Sequence, residues 1–316
     1  MTFEAVSYES IPHALVSGIA ISILCSAIGL FLVLRKFSLF GDALAHSAFG
    51  GVAFGLFIGI YPLWIACGVA IFSALGLTKI RQKFDISSDA IVAILLATGL
   101  GAGVILVSMS DDLEIHDIEE FLFGSAIIDT QNVISILVMA GAILAILFFT
   151  YKKLLYSTFS EEQARASGIP VEKIGYLLIA MAGVTVVISM QLVGVLLISA
   201  LFVLPNVSAM LYARSFKKTM MLSMCFAVAA TVSGIFISYQ FDIAQSGCIV
   251  LVAAAIFIGS LVAKGSGMVK TTGIWQSKTD QKLSSDQKSC LETNLETGYT
   301  HEAFASFPQV SEEDTP

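Results

Sequence analysis

Ile174-Gly-Tyr-Leu-Leu-Ile-Ala-Met-Ala-Gly-Val-Thr-Val-Val-Ile-Ser-Met-Gln-Leu-Val-Gly-Val-Leu-Leu-Ile-Ser-Ala-Leu-Phe-Val-Leu-Pro-Asn-Val-Ser-Ala-Met-Leu-Tyr-Ala213 runs for 40 residues without a charged side chain. A helix crosses the hydrocarbon core of a bilayer in about 20 residues. The stretch is therefore too long for one crossing, and it divides near Gln191. The same reading along the chain places candidate spans near 14–34, 40–60, 62–78, 89–108, 132–151, 174–191, 193–213, 219–239 and 245–263. The segment 193–213 could also be a broken or partly re-entrant helix, so the expectation is eight to nine transmembrane helices in an all-α polytopic membrane protein.

Composition agrees. The chain has 316 residues, 56% hydrophobic and 13% charged, with a mean hydropathy of +0.86; a soluble domain carries about 25% charged residues. With the N-terminus outside and nine crossings, all 17 Lys and Arg fall on inner segments and the C-terminus lies inside. That is the positive-inside pattern of a cytoplasmic or bacterial inner membrane. The net charge of −7 comes from acidic outer loops and an acidic tail, which argues against nucleic acid. Residues 1–13 lack a basic n-region, so no cleavable signal peptide is expected. Cys25, Cys67, Cys225 and Cys248 fall within spans without CxxC spacing and read as small packing residues.

Residues 1–264 form the membrane domain. Residues 265–316, rich in Ser, Thr, Lys, Asp and Glu, read as a polar, disordered cytoplasmic tail. Its start, Gly265-Ser-Gly-Met-Val-Lys-Thr-Thr, is not a phosphate loop, because Val269 stands where Gly must precede the Lys. Between spans five and six, Ser160 is placed to cap a short helix near 160–168. Gln163 would be its capping-box partner, Gly168 would close the helix, and Pro170 would prevent its continuation. Gly50-Gly51 and the Gly99-Leu-Gly101-Ala-Gly103 run predict closely packed helices. Pro205 should kink or break span seven, which could turn Ser199 and Asn206 toward a cavity.

The chemistry concentrates in Ser38-Leu-Phe-Gly-Asp-Ala-Leu-Ala-His-Ser. Asp42 and His46 lie four residues apart, on one face of a helix about one turn from each other. An ionisable group in a span costs roughly 2.5–3.5 kcal/mol, so it points to function by default. A carboxylate with an imidazole is half a site for Mn2+, Zn2+ or Fe2+, and suits Ca2+ or Mg2+ poorly. The competing structural readings are an Asp42 held by the helix dipole at the start of span two, and a His46 bonded across helices.

Three motifs then carry a resemblance. Leu32-Val-Leu-Arg-Lys-Phe-Ser-Leu-Phe-Gly-Asp-Ala-Leu-Ala-His-Ser, Phe159-Ser-Glu-Glu-Gln-Ala-Arg-Ala-Ser-Gly-Ile-Pro and Leu192-Val-Gly-Val-Leu-Leu-Ile-Ser-Ala-Leu-Phe-Val-Leu-Pro resemble the permeases of manganese/zinc/iron ABC importers, the ABC-3 type. The resemblance covers roughly residues 10–264 in family order and spacing, and departs at Gly50, where the family commonly has Pro. It implies a type II ABC importer-like permease that is not itself an enzyme, with ATP hydrolysed on a separate cytoplasmic subunit. It implies that Asp42 and His46 coordinate the ion, facing the same pair on a second permease copy or paralogue. Glu161, Glu162, Ala164 and Gly168 would belong to the coupling helix that docks on the ATPase. Pro205 would kink a helix of the pathway. An extracytoplasmic binding protein would deliver Mn2+, Zn2+ or Fe2+ as cargo, with no permanently bound cofactor.

Other classes compete less well. A permease for an iron–siderophore or corrinoid would have no need of the Asp42–His46 pair. An intramembrane metalloprotease would need HExxH, which is absent from the sequence. His116 with Asp111, Asp112, Glu114, Asp117, Glu119 and Glu120 is either an ion-collecting rim or a solvated docking face. His13 and His301 take no role.

Overall fold

The uncharged 40-residue stretch divides at Gly194, whose φ of 74° and ψ of 167° suit a residue without a Cβ. The break falls three residues after Gln191, so the helix before it is longer than hydropathy suggested. In the computed structural model, which describes residues 10–59, 62–84, 88–109, 124, 130–212, 215–241 and 243–265, the described residues form ten helices and no strand. They are α1 (Ser10–Leu34), α2 (Phe40–Ile58), α3 (Pro62–Phe84), α4 (Ser88–Ser108), α5 (Thr130–Phe159), α6 (Glu161–Ala166), α7 (Val171–Val193), α8 (Val195–Tyr212), α9 (Phe216–Phe241) and α10 (Gln245–Gly265). Eight are long and apolar enough to cross a membrane, and Leu197–Tyr212 of α8 is a shorter apolar helix. The chain is an all-α, multi-pass membrane protein. It falls into two units, Met1–Lys270 and Thr271–Pro316. The acidic cluster around His116, the tail from 266 onward and His301 lie outside the described residues.

Helix α1 is the axis, packed against α5, α7, α8 and α9. Ile21, Leu24, Ile28 and Phe31 are fully buried along it. In lipid, helices gain little from burying apolar surface against one another, so close approach and interhelical hydrogen bonds carry the packing. Both occur here. A Cβ on Gly29 would stand 2.5 Å from the Phe202 carbonyl oxygen and 2.7 Å from Asn206 Nδ2, so only glycine admits α8 at this depth. The hydroxyls of Ser26 and Ser223 lie 2.6 Å apart between α1 and α9, and Ser223 donates on to Asn206 Oδ1. Higher on the same pair of helices, Ser22 bonds Thr231.

Helix α2 lies between α3 and α4. Gly55 meets Pro62, Gly51 meets Ala66 and Ser47 meets Ser73, so α2 and α3 run antiparallel. Toward the opposite neighbour, α4, a Cβ on Gly50 would stand only 2.7 Å from the Gly99 carbonyl oxygen, and Gly103 of α4 meets Phe49 and Gly50 in return. Gly50, Gly51, Gly99 and Gly103 thus mark close contacts, as expected, whereas Gly101 meets nothing within 4 Å. Helix α2 continues through Gly50, which serves as a contact point against α4 and does not end the helix.

These contacts bring the basic residues to one end of the bundle. The antiparallel α2–α3 pair puts Lys79 and Lys83 beside the start of α2, near Arg35 and Lys36. Phe216 packs on Phe31 and Phe159 at centroid distances of 5.1 and 6.1 Å, placing Lys217 and Lys218 at that same end. Tyr212 donates to the Ser260 carbonyl at 3.2 Å, which aligns Lys264 with them.

Candidate functional site

The first turn of α2 carries Asp42, and His46 follows one turn later. Every other described position between Phe40 and Val52 is buried against α3, α4, α7 or α8, so these two side chains share the face that the described residues leave uncovered. Their side chains retain 31% and 17% of full exposure, which is half-buried and reachable.

His46 Nε2 stands 3.7 Å from Asp42 Oδ1. That is too long for a hydrogen bond. Two donors of one ion, each about 2.1 Å from it, lie roughly 3.0–3.4 Å apart at octahedral to tetrahedral angles. A small side-chain rotation therefore lets both atoms hold one dication. The other ring nitrogen, Nδ1, is buried with no hydrogen-bond partner among the described residues. Among the described residues no group of three or more His, Cys, Asp or Glu could hold a metal ion. Among the described residues this face offers two donors, fewer than the roughly four that a dication takes.

The backbone behind His46 is set by α4. A Cβ on Gly99 would lie 2.7 Å from Ser47 Cα and 2.8 Å from the His46 carbonyl carbon. Sequence reading placed Gly99 in a packing run without connecting it to His46.

Helix α6 forms as expected, with one change at its cap. Ser160 (φ −155°, ψ 102°) accepts from Gln163 N–H at 3.4 Å. The reciprocal half of the capping box is not needed, because the Ser160 N–H donates to the Tyr156 carbonyl at 3.1 Å. At the other end Gly168 has φ 75°. Its N–H donates to Arg165 O and Ile169 N–H donates to Ala164 O, both at 3.0 Å, which is a Schellman closure. Glu161 and Glu162 are exposed in the first turn, whereas Ala164 is 1% exposed and seats the helix on its own chain.

Pro205 lies within α8, which continues through it to Tyr212. Asn206 is fully buried: its Nδ2 donates to Phe202 O at 2.7 Å and its Oδ1 accepts from Ser223. It is engaged between helices. Ser199 is half-buried. Sequence reading noted Arg35 only as an inner-side charge, yet its guanidinium bonds Ser157 and Thr158 on α5. No local pattern signals that contact.

The chain is similar over most of its length to several known proteins. The manganese transport system membrane protein MntC of Halalkalibacterium halodurans is 29% identical over 89% of this chain and 96% of its own length. The manganese import system permease protein ScaB of Streptococcus gordonii is 34% identical over 80% of this chain and 91% of its own. A probable iron transport system membrane protein of Haemophilus influenzae is 28% identical over 82% of this chain and 95% of its own. The solved structure of PsaBC from Streptococcus pneumoniae in complex with Fab superposes with a TM-score of 0.74 at 31% identity, covering 87% of this chain and 96% of that one. The ABC 3 transport family profile extends over residues 7–264, nearly the whole helical bundle described above, and the chain belongs to that family.

Proposed function

We propose that this chain is the permease subunit of an ATP-driven importer that passes a divalent transition-metal ion across a bacterial cytoplasmic membrane. Asp42 and His46 on α2 hold the ion in transit. The observation that carries the reading is the 3.7 Å separation of a carboxylate oxygen and an imidazole nitrogen on the uncovered face of that helix. A second permease copy or paralogue facing the first would supply a matching pair. Two Asp carboxylates and one dication balance to zero net charge, which makes a transient site tolerable at low dielectric. Each imidazole must be neutral to ligate, so the ion competes with protons for the site.

The names of the relatives point to manganese, and in one case to iron, as cargo. The nitrogen–oxygen donor set suits either metal, and zinc as well. The basic end of the bundle faces the cytoplasm in this reading, with the N-terminus outside and the C-terminus inside. Helix α6 lies at that end and docks on a separate ATPase subunit through Glu161, Glu162 and the Gly168 turn, while a binding protein delivers the ion from outside.

The test is cellular accumulation of manganese, zinc and iron with His46→Ala or Asp42→Ala in place of the native chain. Either variant should insert and assemble normally yet abolish accumulation of the cognate metal. Wild-type accumulation of all three metals in His46→Ala cells would overturn the proposal.

A further inference from the structure

We propose that Arg35 is a positioning residue that ties the segment carrying α6 to the joint that begins α2, so that movement at the ATPase-docking helix reaches the Asp42–His46 pair. This inference rests on the proposed function and deepens it.

The joint between α1 and α2 is short and internally bonded. Lys36 takes φ 62°, with its N–H donating to Val33 O at 3.0 Å, and Phe37 N–H donates to Leu32 O at 2.9 Å. Phe40 N–H donates to Phe37 O at 3.2 Å, and the two rings pack with centroids 5.4 Å apart. A joint held in this way transmits displacement to the first turn of α2, where Asp42 sits.

The Arg35 side chain leaves this joint for α5. Nη2 donates to Ser157 Oγ at 2.8 Å and Nε donates to Thr158 Oγ1 at 3.2 Å. Thr158 Oγ1 spends its own proton on Leu154 O at 2.7 Å, leaving a lone pair for the guanidinium. Ser157 is buried, and the two hydroxyl residues stand three and two positions before Ser160, the cap of α6. Nη1 lies 3.5 Å from where a Cβ on Gly175 would stand, so the group also abuts the start of α7. One planar fork thus contacts the segments entering and leaving α6. Lysine cannot reproduce that geometry.

The charge adds a second link. Burial disfavours the charged form of Arg35, and the Glu161 carboxylate offsets part of that effect. Glu161 is exposed in the first turn of α6. Whatever a docking partner sets against Glu161 therefore changes the field at a half-buried guanidinium that holds the α2 joint in place. The aromatic contacts among Phe31, Tyr151, Phe159 and Phe216 hold α1, α5 and α9 together independently of Arg35. Loss of the fork should loosen communication without dispersing the bundle.

The test uses the assembled transporter in proteoliposomes, with its ATPase and its metal-loaded binding protein, and Mn2+ as the probe. ATP hydrolysis is measured with and without the loaded binding protein, alongside Mn2+ carried per ATP. In Arg35→Met, subunit stoichiometry and basal hydrolysis should hold, while stimulation and the transport ratio fall about tenfold, the scale of a site-to-site coupling energy. Ser157→Ala/Thr158→Val should reproduce the defect, and adding Arg35→Met to it should lower the ratio no further. Wild-type coupling in Arg35→Met, loss of basal hydrolysis together with transport, or additive effects each overturn the inference. If the wild-type complex carries none of Mn2+, Zn2+ or Fe2+, it is the metal reading itself that fails. Normal wild-type transport with an unaffected Arg35→Met refutes this inference alone.

Discussion

Replacing Gly99 with Ala should disable transport through a methyl group that touches neither Asp42 nor His46 as a ligand. The new Cβ would stand 2.7 Å from Ser47 Cα and N and 2.8 Å from the His46 carbonyl carbon. Carbon atoms in contact settle at about 3.5–4.0 Å, so α4 must retreat, or α2 bow, by about 1 Å. Overpacking of this kind costs about 1–3 kcal/mol. Alanine in place of glycine returns up to about 1 kcal/mol of helix propensity. Gly101, two residues on, meets nothing within 4 Å, so Gly101→Ala takes the propensity gain without the clash. The difference between the two variants isolates packing. Metal ligands tolerate only about 0.2 Å of misplacement, so uptake of radiolabelled metal should fall more than about tenfold in Gly99→Ala and hold in Gly101→Ala. The thermal midpoint of purified Gly99→Ala should also drop below that of Gly101→Ala. If the two variants transport and melt alike, the close approach of α4 does not position His46, and the reasoning is wrong.

Two further predictions concern the ends of the coupling segment and the polar seam. Ser160→Ala removes the acceptor for Gln163 N–H, and Gly168→Ala puts a Cβ at φ 75°; each should cost about 1 kcal/mol of local helix stability. Co-purification of the ATPase subunit should therefore weaken by roughly fivefold in either variant; recovery at wild-type yield from both would count against α6 as the docking element. Asn206→Ala strips Ser223 of its acceptor beside Gly29 and should lower stability by about 1–2 kcal/mol, the upper range for interhelical hydrogen bonds in membranes. Unfolding in micelles measures this, and a variant as stable as wild type would show that the seam carries no stability.

The sequence alone determined the features that local spacing and the solvent dictate. A bilayer admits only runs of apolar residues long enough to cross it, so the basic end, the break in the Ile174–Ala213 stretch and most spans were readable to within a few residues; the exception is α5, which runs to Phe159 where hydropathy ended the span near 151. Helix periodicity put Asp42 and His46 on one face, and cap chemistry outlined α6 from Ser160 to Gly168. Only the tertiary structure decided which helices touch. Helix pairing in lipid rests on close backbone approach and scattered hydroxyl contacts, and residues far apart in the chain make them without any periodic signal. Gly99 behind His46, Gly29 beneath Asn206, and the reach of Arg35 to Ser157 and Thr158 are all of that kind.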